Sequence, residues 1–411
     1  MRTSGDTAAT GTADGWSASR LAAAAALALL MLLPVTLPVP VLRGLVLERF
    51  GVSEFATSLF MAINNVGALL TAPLSGAFAD RYGRRRATIV GALLAHAVLL
   101  GSLALDLSFG WFLFLRFVEG AAQILALSLL LAVVADNHEG PRRGRAMGML
   151  GCGLTLGVAL GAPLGGMLGR SDALRTLHVG AAILLLAAVV AALVVVDRAP
   201  ASGRPGLRQI LRAIAAERAL LVPLAYAFVD RFTVGFFTTT FPLFLERIHG
   251  FARDRIGFLL ALFLLPFALL SYPSGRLAER RSRVAMVVLG SLVYGAGVAA
   301  VGWVGPVHLV WLMVGLGLCS AVMFVPSLLL AAEFAAPGTR STALAGFNAA
   351  GSLGFLLGPV VGGGLSSIVA ERSGWLDGYR VAFGVAGAAE VLCVIATWPL
   401  LRALVRAGRT R

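Results

Sequence analysis

The chain has 411 residues, 58% of them hydrophobic and 13% charged, with a mean hydropathy of +0.88 and a formal net charge of +14. Soluble domains are about a quarter charged, so a water-soluble fold of this length has nowhere to hide that much apolar surface, and the solvent is a bilayer. All 34 basic residues are Arg, set in short loops between apolar runs, which argues for membrane topology and against a nucleic-acid partner.

Residues 1–20 form a tail that begins polar and rich in Gly, Thr and Ala. The apolar run from Leu21 is too long for a signal-peptide core and leads straight into another, so it reads as the first span. Runs close to the ~20 residues that cross a bilayer fall at 21–42, 55–79, 86–106, 110–135, 144–169 and 175–197. Six more fall at 219–245, 254–279, 284–304, 307–334, 341–368 and 380–403. The fold class is an all-α polytopic membrane protein with twelve spans. Residues 21–197 and 219–404 form two six-helix bundles, and 405–411 a second tail. In the intervening 198–218, Leu207, Ile210, Leu211 and Ile214 recur at helical spacing beside Arg208 and Arg212, the pattern of an amphipathic linker helix on the inner leaflet.

An even number of spans puts both termini on one side. The loops and tails of that side hold 23 arginines and the opposite loops 9, with Arg116 and Arg231 inside spans. Positive charge stays inside, so both termini are expected in the cytoplasm of an inner (plasma) membrane protein. Cys152, Cys319 and Cys393 sit in apolar runs at no metal spacing and read as small core residues.

The chain repeats itself. Gly76, Asp80, Arg81, Gly83, Arg84 and Arg85 follow the second span, and Gly275, Glu279, Arg280 and Arg283 follow the eighth. At an offset of 199, Asp80 falls on Glu279, Arg81 on Arg280 and Arg84 on Arg283; Asp136 and Glu333 close the fourth and tenth spans. Glycines recur every four residues in the fifth span, through Gly157, Gly161 and Gly165, and in the eleventh, through Gly354, Gly358 and Gly362. Each set makes one smooth ridge along which another backbone can approach.

The charged loop resembles the G-x-L-A-D-R-x-G-R-[RK] loop between helices two and three of the major facilitator superfamily of secondary transporters, with Phe78 for the usual Leu. Gly157, Gly161, Pro163, Gly165 and Gly166 resemble its antiporter motif with Pro one place late, and Gly354, Gly358, Pro359, Gly362 and Gly363 repeat that motif in the eleventh span. Arg116, Glu119 and Gly120 are similar to its R-x-x-Q-G motif, with Glu for Gln. The resemblance implies two pseudo-symmetric bundles rocking about a central site, lined by the first, fourth, seventh and tenth spans. It also implies a cytoplasmic gate in which Asp80 meets the start of the eleventh span and Arg84 meets Asp136. Glu279, Arg283, Glu333 and the start of the fifth span would mirror it.

Ionisable residues within spans are costly and functional by default. Arg116 and Glu119, at i and i+3, share a helix face and can pair, and Glu119 can carry a proton. Asp230 and Arg231 point ~100° apart and need not pair with each other; the family's cavity-lining seventh helix implies that Arg231 reaches Glu119 or that Asp230 faces substrate. Glu390 and His96 read as hydrogen-bonded packing residues, Glu390 being the next coupling candidate; Asn64, Asn65 and Asn348 read as helix-to-helix hydrogen-bonders. Many drug exporters of the family carry an acid in the first span, but none lies between Leu21 and Leu42. There is no phosphate-binding loop and no Ser/His/Asp or HExxH arrangement, so neither ATP nor enzyme chemistry is expected. The expectation is a monomer with a small-molecule substrate, protons and membrane lipid as partners and a proton gradient in place of a cofactor. Proton-coupled efflux of an amphipathic molecule leads. Uptake by symport or uniport competes with it, as does a transport-inactive receptor or assembly factor on the same fold.

Overall fold

The computed structural model describes residues 16–82, 85–138, 140–196, 212, 217–335 and 340–406, with backbone alone for 73–82, 140–144 and 340–341. The amphipathic linker expected at 198–218 falls almost entirely outside the described residues.

The N-terminal bundle holds α1 (Ala18–Thr36), α2 (Glu54–Tyr82), α3 (Arg85–Ser102), α4 (Phe109–Asp136), α5 (Gly140–Leu168) and α6 (Arg175–Val194). The C-terminal bundle holds α7 (Leu221–Thr238), α8 (Thr240–His249), α9 (Arg253–Arg280), α10 (Arg283–Ala300), α11 (Pro306–Phe334), α12 (Arg340–Ser373) and α13 (Trp375–Arg406). Among the described residues eleven spans are long and apolar enough to cross a membrane, α7 and α8 counting as one, Arg218–His249. The twelfth, α3, is less apolar because Arg85 and Arg86 open it and His96 interrupts it. Trp111, Trp303 and Trp311 are exposed near helix ends, where aromatic rings meet the membrane surface.

Proline sets the two breaks. Pro38 has no N–H to carry α1 past Thr36, and the chain continues as a 3-10 turn, Val39–Val41, then a π-turn, Arg43–Glu48. Pro242 cannot donate to the carbonyl of Thr238. The chain therefore leaves helical geometry at Thr239 (φ −135°, ψ −65°), where the Thr238 and Thr239 hydroxyls donate to the Gly235 carbonyl instead. Gly250 ends α8 in the left-handed conformation at φ +62°, which a side chain would strain.

The packing repeats with the sequence. In the first half α1 lies on α5, α2 on α4, and α3 on α6; in the second, α7 lies on α12, α9 on α11, and α10 on α13. The halves meet along two seams, α2 against α12 and α5 against α9. Each glycine ridge faces the first span of its own half. A Cβ at Gly157 would strike Leu29, at Gly161 Thr36 and Leu33, and at Gly165 Leu37. At Gly354 it would strike Phe228, at Gly358 Phe232, and at Gly362 Thr240. The neighbouring glycines face across the seams: Gly166 lies on the Arg253 backbone of α9 and Gly363 on Ser58 of α2. Pro163 also touches α9, at Gly257, whereas Pro359 lies on Gly235 of α7.

Candidate functional site

Three buried polar groups and two rings of surface charge carry what chemistry the fold offers. The first group is inside the N-terminal bundle. Glu119 of α4 is 2% exposed and fully bonded. His96 of α3 lies 2.7 Å from Oε1, Asn64 of α2 donates to Oε2 at 2.8 Å, and Arg116 donates to Oε2 at 2.5 Å. Arg116 also donates to the Phe60 carbonyl at 3.3 Å, and its guanidinium lies over the Phe60 ring. This network ties α2, α3 and α4 together. Arg231 is not among its partners, so the expected reach from Arg231 to Glu119 does not occur. Each belongs to its own bundle, and Glu119 faces α2 and α3.

The second group is inside the C-terminal bundle. Glu390 of α13 is fully buried and Asp230 of α7 is 6% exposed, and the two are within electrostatic reach of each other. Thr233 bridges toward them, its Oγ1 3.4 Å from Glu390 Oε1 and 3.5 Å from the Tyr294 hydroxyl of α10. Glu390 Oε2 and Asp230 Oδ1 have no hydrogen-bond partner. Asp230 faces its own bundle.

Arg231, one residue on, turns the other way. Its guanidinium carbon lies 5.0 Å from the centre of the Phe324 ring of α11, and 5.7 and 6.0 Å from those of Phe347 and Phe355 of α12.

The surface charges divide by face. On the arginine-rich face each half bonds to itself. Arg85 Nη1 of α3 lies 2.5 Å from Asp136 Oδ2 of α4, and Arg283 Nη1 of α10 lies 2.7 Å from Glu333 Oε2 of α11. Asp136 thus pairs with Arg85, and the expected contact with Arg84 falls outside the described residues. Arg85 opens α3 as Arg283 opens α10, so the repeat runs here at an offset of 198. Gly83 and Arg84 lie outside the described residues, as do the side chains of Asp80 and Arg81 and their environment at Gly76. The contact of Asp80 with the start of α12 falls there too. Its mirror is visible from one side: Glu279 and Arg280 are exposed, beyond Gly275 near the end of α9, and Glu279 has no ion pair among the described residues.

On the opposite face the halves bond to each other. Glu54, 2% exposed at the start of α2, accepts the Tyr379 hydroxyl of α13 at 2.7 and 2.6 Å. Arg247 of α8 places Nε 2.7 Å from Glu54 Oε1, an ion pair whose N–H does not point along the line, and stacks 4.0 Å over Trp375. Arg253 donates to the Gly169 carbonyl at 3.0 Å, and Arg170 lies 3.4 Å from Asp254.

The sequence model of the Major Facilitator Superfamily matches this chain twice, over residues 21–232 and 223–410. The chain belongs to that superfamily. The double match falls on the two bundles, and as a member of the superfamily the chain is a transporter and not an enzyme. A Bacillus subtilis protein named Multidrug resistance protein 2 is 24% identical over 311 residues, 72% of this chain and 76% of that protein. A Streptomyces lividans protein named Chloramphenicol resistance protein is 30% identical over 241 residues, 58% of this chain and 59% of that one. A solved bacterial homologue of the human lysosomal transporter Spinster, described as inward-facing and unoccupied, superposes with a TM-score of 0.80 at 17% identity, covering 94% of this chain and 97% of that one.

In this superfamily member, Glu54, Arg247 and Tyr379 escape a reading of the sequence. Glu54 sits just after a helix-capping Ser53 and looks like a first-turn acid. The one available signal is that Arg247, Arg253 and Arg255 crowd two sides of a short loop on the arginine-poor face. Tyr294 and Thr233 are found only by packing, as is the partner of His96. Asn64 does bond across helices, Asn65 bonds back to the Met61 carbonyl of its own helix, and Asn348 is exposed.

Proposed function

We propose that the protein exports small amphipathic organic molecules from the cytoplasm in exchange for protons, and that this structure is its inward-open state. The observation that carries the reading is the division of charge between faces. The polar contacts that join the halves among the described residues all lie on the arginine-poor face, whereas Arg85–Asp136 and Arg283–Glu333 stay within their halves. The arginine-rich face is the cytoplasmic one by charge asymmetry, so the outer gate is shut and the inner one free to close. Closing it brings Asp80 and Glu279 to the starts of α12 and α5, where a helix N-terminus attracts an acid.

The buried carboxylates suit proton coupling. Glu119 is bonded at both oxygens and serves to hold its bundle. Asp230 and Glu390 each have an oxygen to spare and lie on α7 and α13, one of which bends at Thr239 between midplane and outer gate. Export is favoured by the names of the Bacillus and Streptomyces relatives. Everted membrane vesicles, acidified inside, supply the test with fluorescent dyes of either charge as probes. Vesicles holding the protein are expected to accumulate a dye until a protonophore is added, and Asp230→Asn or Glu390→Gln to remove the gradient dependence. Accumulation indifferent to the protonophore contradicts the reading.

A further inference from the structure

Arg231 lies near the middle of the span Arg218–His249, at the depth where transporters of this plan hold their cargo. A guanidinium there requires a counter-charge or hydrogen-bond acceptors. It has neither. Nη1 is buried with no hydrogen-bond partner, and no ion pair to Arg231 is formed among the described residues. Asp230, next in sequence, is near enough to interact with Arg231 electrostatically but forms no ion pair or hydrogen bond with it, and its own Oδ1 is unpartnered. What surrounds Arg231 is aromatic. The faces of Phe324, Phe347 and Phe355 attract a cation but accept no strong N–H bond. The site is also made to admit this side chain: a Cβ at Gly351 of α12 would strike the guanidinium.

The position is accessible from between the halves. The bundles are joined along α2/α12 and α5/α9, and on the superfamily's plan α1, α4, α7 and α11 line the space within. Arg231 and Phe324 belong to α7 and α11, and both are only partly buried. A positive group short of acceptors, set in a ring-lined notch of that space, matches one chemistry. We propose that Arg231 binds the acidic group of the transported molecule while Phe324, Phe347 and Phe355 hold its apolar body, so that the cargo is an amphipathic organic anion. This specifies the substrate class of the export reading and rests on its central site, but binding needs neither a gradient nor a direction.

The experiment is thermal unfolding of the purified full chain in detergent with three probes of one shape: 2-naphthoate, its neutral amide and the cationic 2-naphthylmethylammonium. The carboxylate is expected to raise the unfolding temperature in a saturable way, and the amide and the cation to leave it unchanged. Arg231→Gln should weaken carboxylate binding about tenfold or more, the scale of one lost charge-assisted contact, and Arg231→Lys by less. Phe355→Ala should weaken it too, which covers the case in which the Gln variant does not fold. Stabilisation by the cation, an unchanged carboxylate response in Arg231→Gln, or no response to the carboxylate in the unaltered protein overturns the proposal. If the carboxylate binds but no proton-driven accumulation is seen in vesicles, the anion site stands and the export reading fails.

Discussion

Glu119 and Glu390 are both carboxylates on membrane helices, and both are buried, yet their surroundings differ. Glu119 has His96, Asn64 and Arg116 on its two oxygens. Removing its charge leaves Arg116 buried without a counter-ion, a change that costs about 3–5 kcal/mol in buried pairs. Glu119→Gln is therefore expected to lower the unfolding temperature clearly, whereas Asp230→Asn and Glu390→Gln, which remove oxygens that lack partners, leave it unchanged or raise it. Comparable losses in all three variants would contradict the distinction. The sequence makes Arg116 and Glu119 legible because an i, i+3 pair inside an apolar run is conspicuous. His96 and Glu390 are visible too, but their partners are not, since a lone polar residue in a span looks alike whether its neighbour is a carboxylate or a lipid.

Between the residue and the molecule, glycine ridges decide which helices touch. Gly157, Gly161 and Gly165 let α5 meet α1 backbone to backbone, and Gly354, Gly358 and Gly362 let α12 meet α7. In lipid such contacts replace the hydrophobic drive that holds soluble helices together. Gly161→Val and Gly358→Val should each separate a helix pair within one half and reduce the yield of folded protein severalfold. Gly148→Val, where an added side chain meets nothing, should not. The size-exclusion profile of detergent extracts reads this directly, and equal yields for the three variants would remove the ridges from the account. The four-residue spacing made both ridges visible from sequence alone. The seam contacts of Gly166 and Gly363 were not visible, because facing one's own bundle or the other depends on a rotation of about one residue, ~100° on a helix. The pairing of Asp136 with Arg85 was likewise not legible in the sequence.

At the scale of the whole molecule, the charged contacts that join the two halves among the described residues lie on one face only, and the central claim is that this joint moves to the other face during transport. Glu54, Arg247 and Tyr379 join the halves on the arginine-poor face, the outer side on the proposed topology. Each contact contributes modestly, but about 1.4 kcal/mol shifts a two-state equilibrium tenfold, so losing the buried carboxylate repopulates the outward-open state. Distances between paired spin labels test this most directly, in a protein whose Cys152, Cys319 and Cys393 are replaced by Ala. One pair, at the exposed positions Asp172 and Arg372, spans the outer side; the other, at Arg145 and Arg281, spans the inner. The unaltered protein should give a short outer and a long inner distance. Glu54→Gln combined with Tyr379→Phe should lengthen the outer distance and shorten the inner one in the same fraction of molecules. Outer and inner distances that lengthen together, or an outer distance that does not respond, would contradict alternating access through this latch.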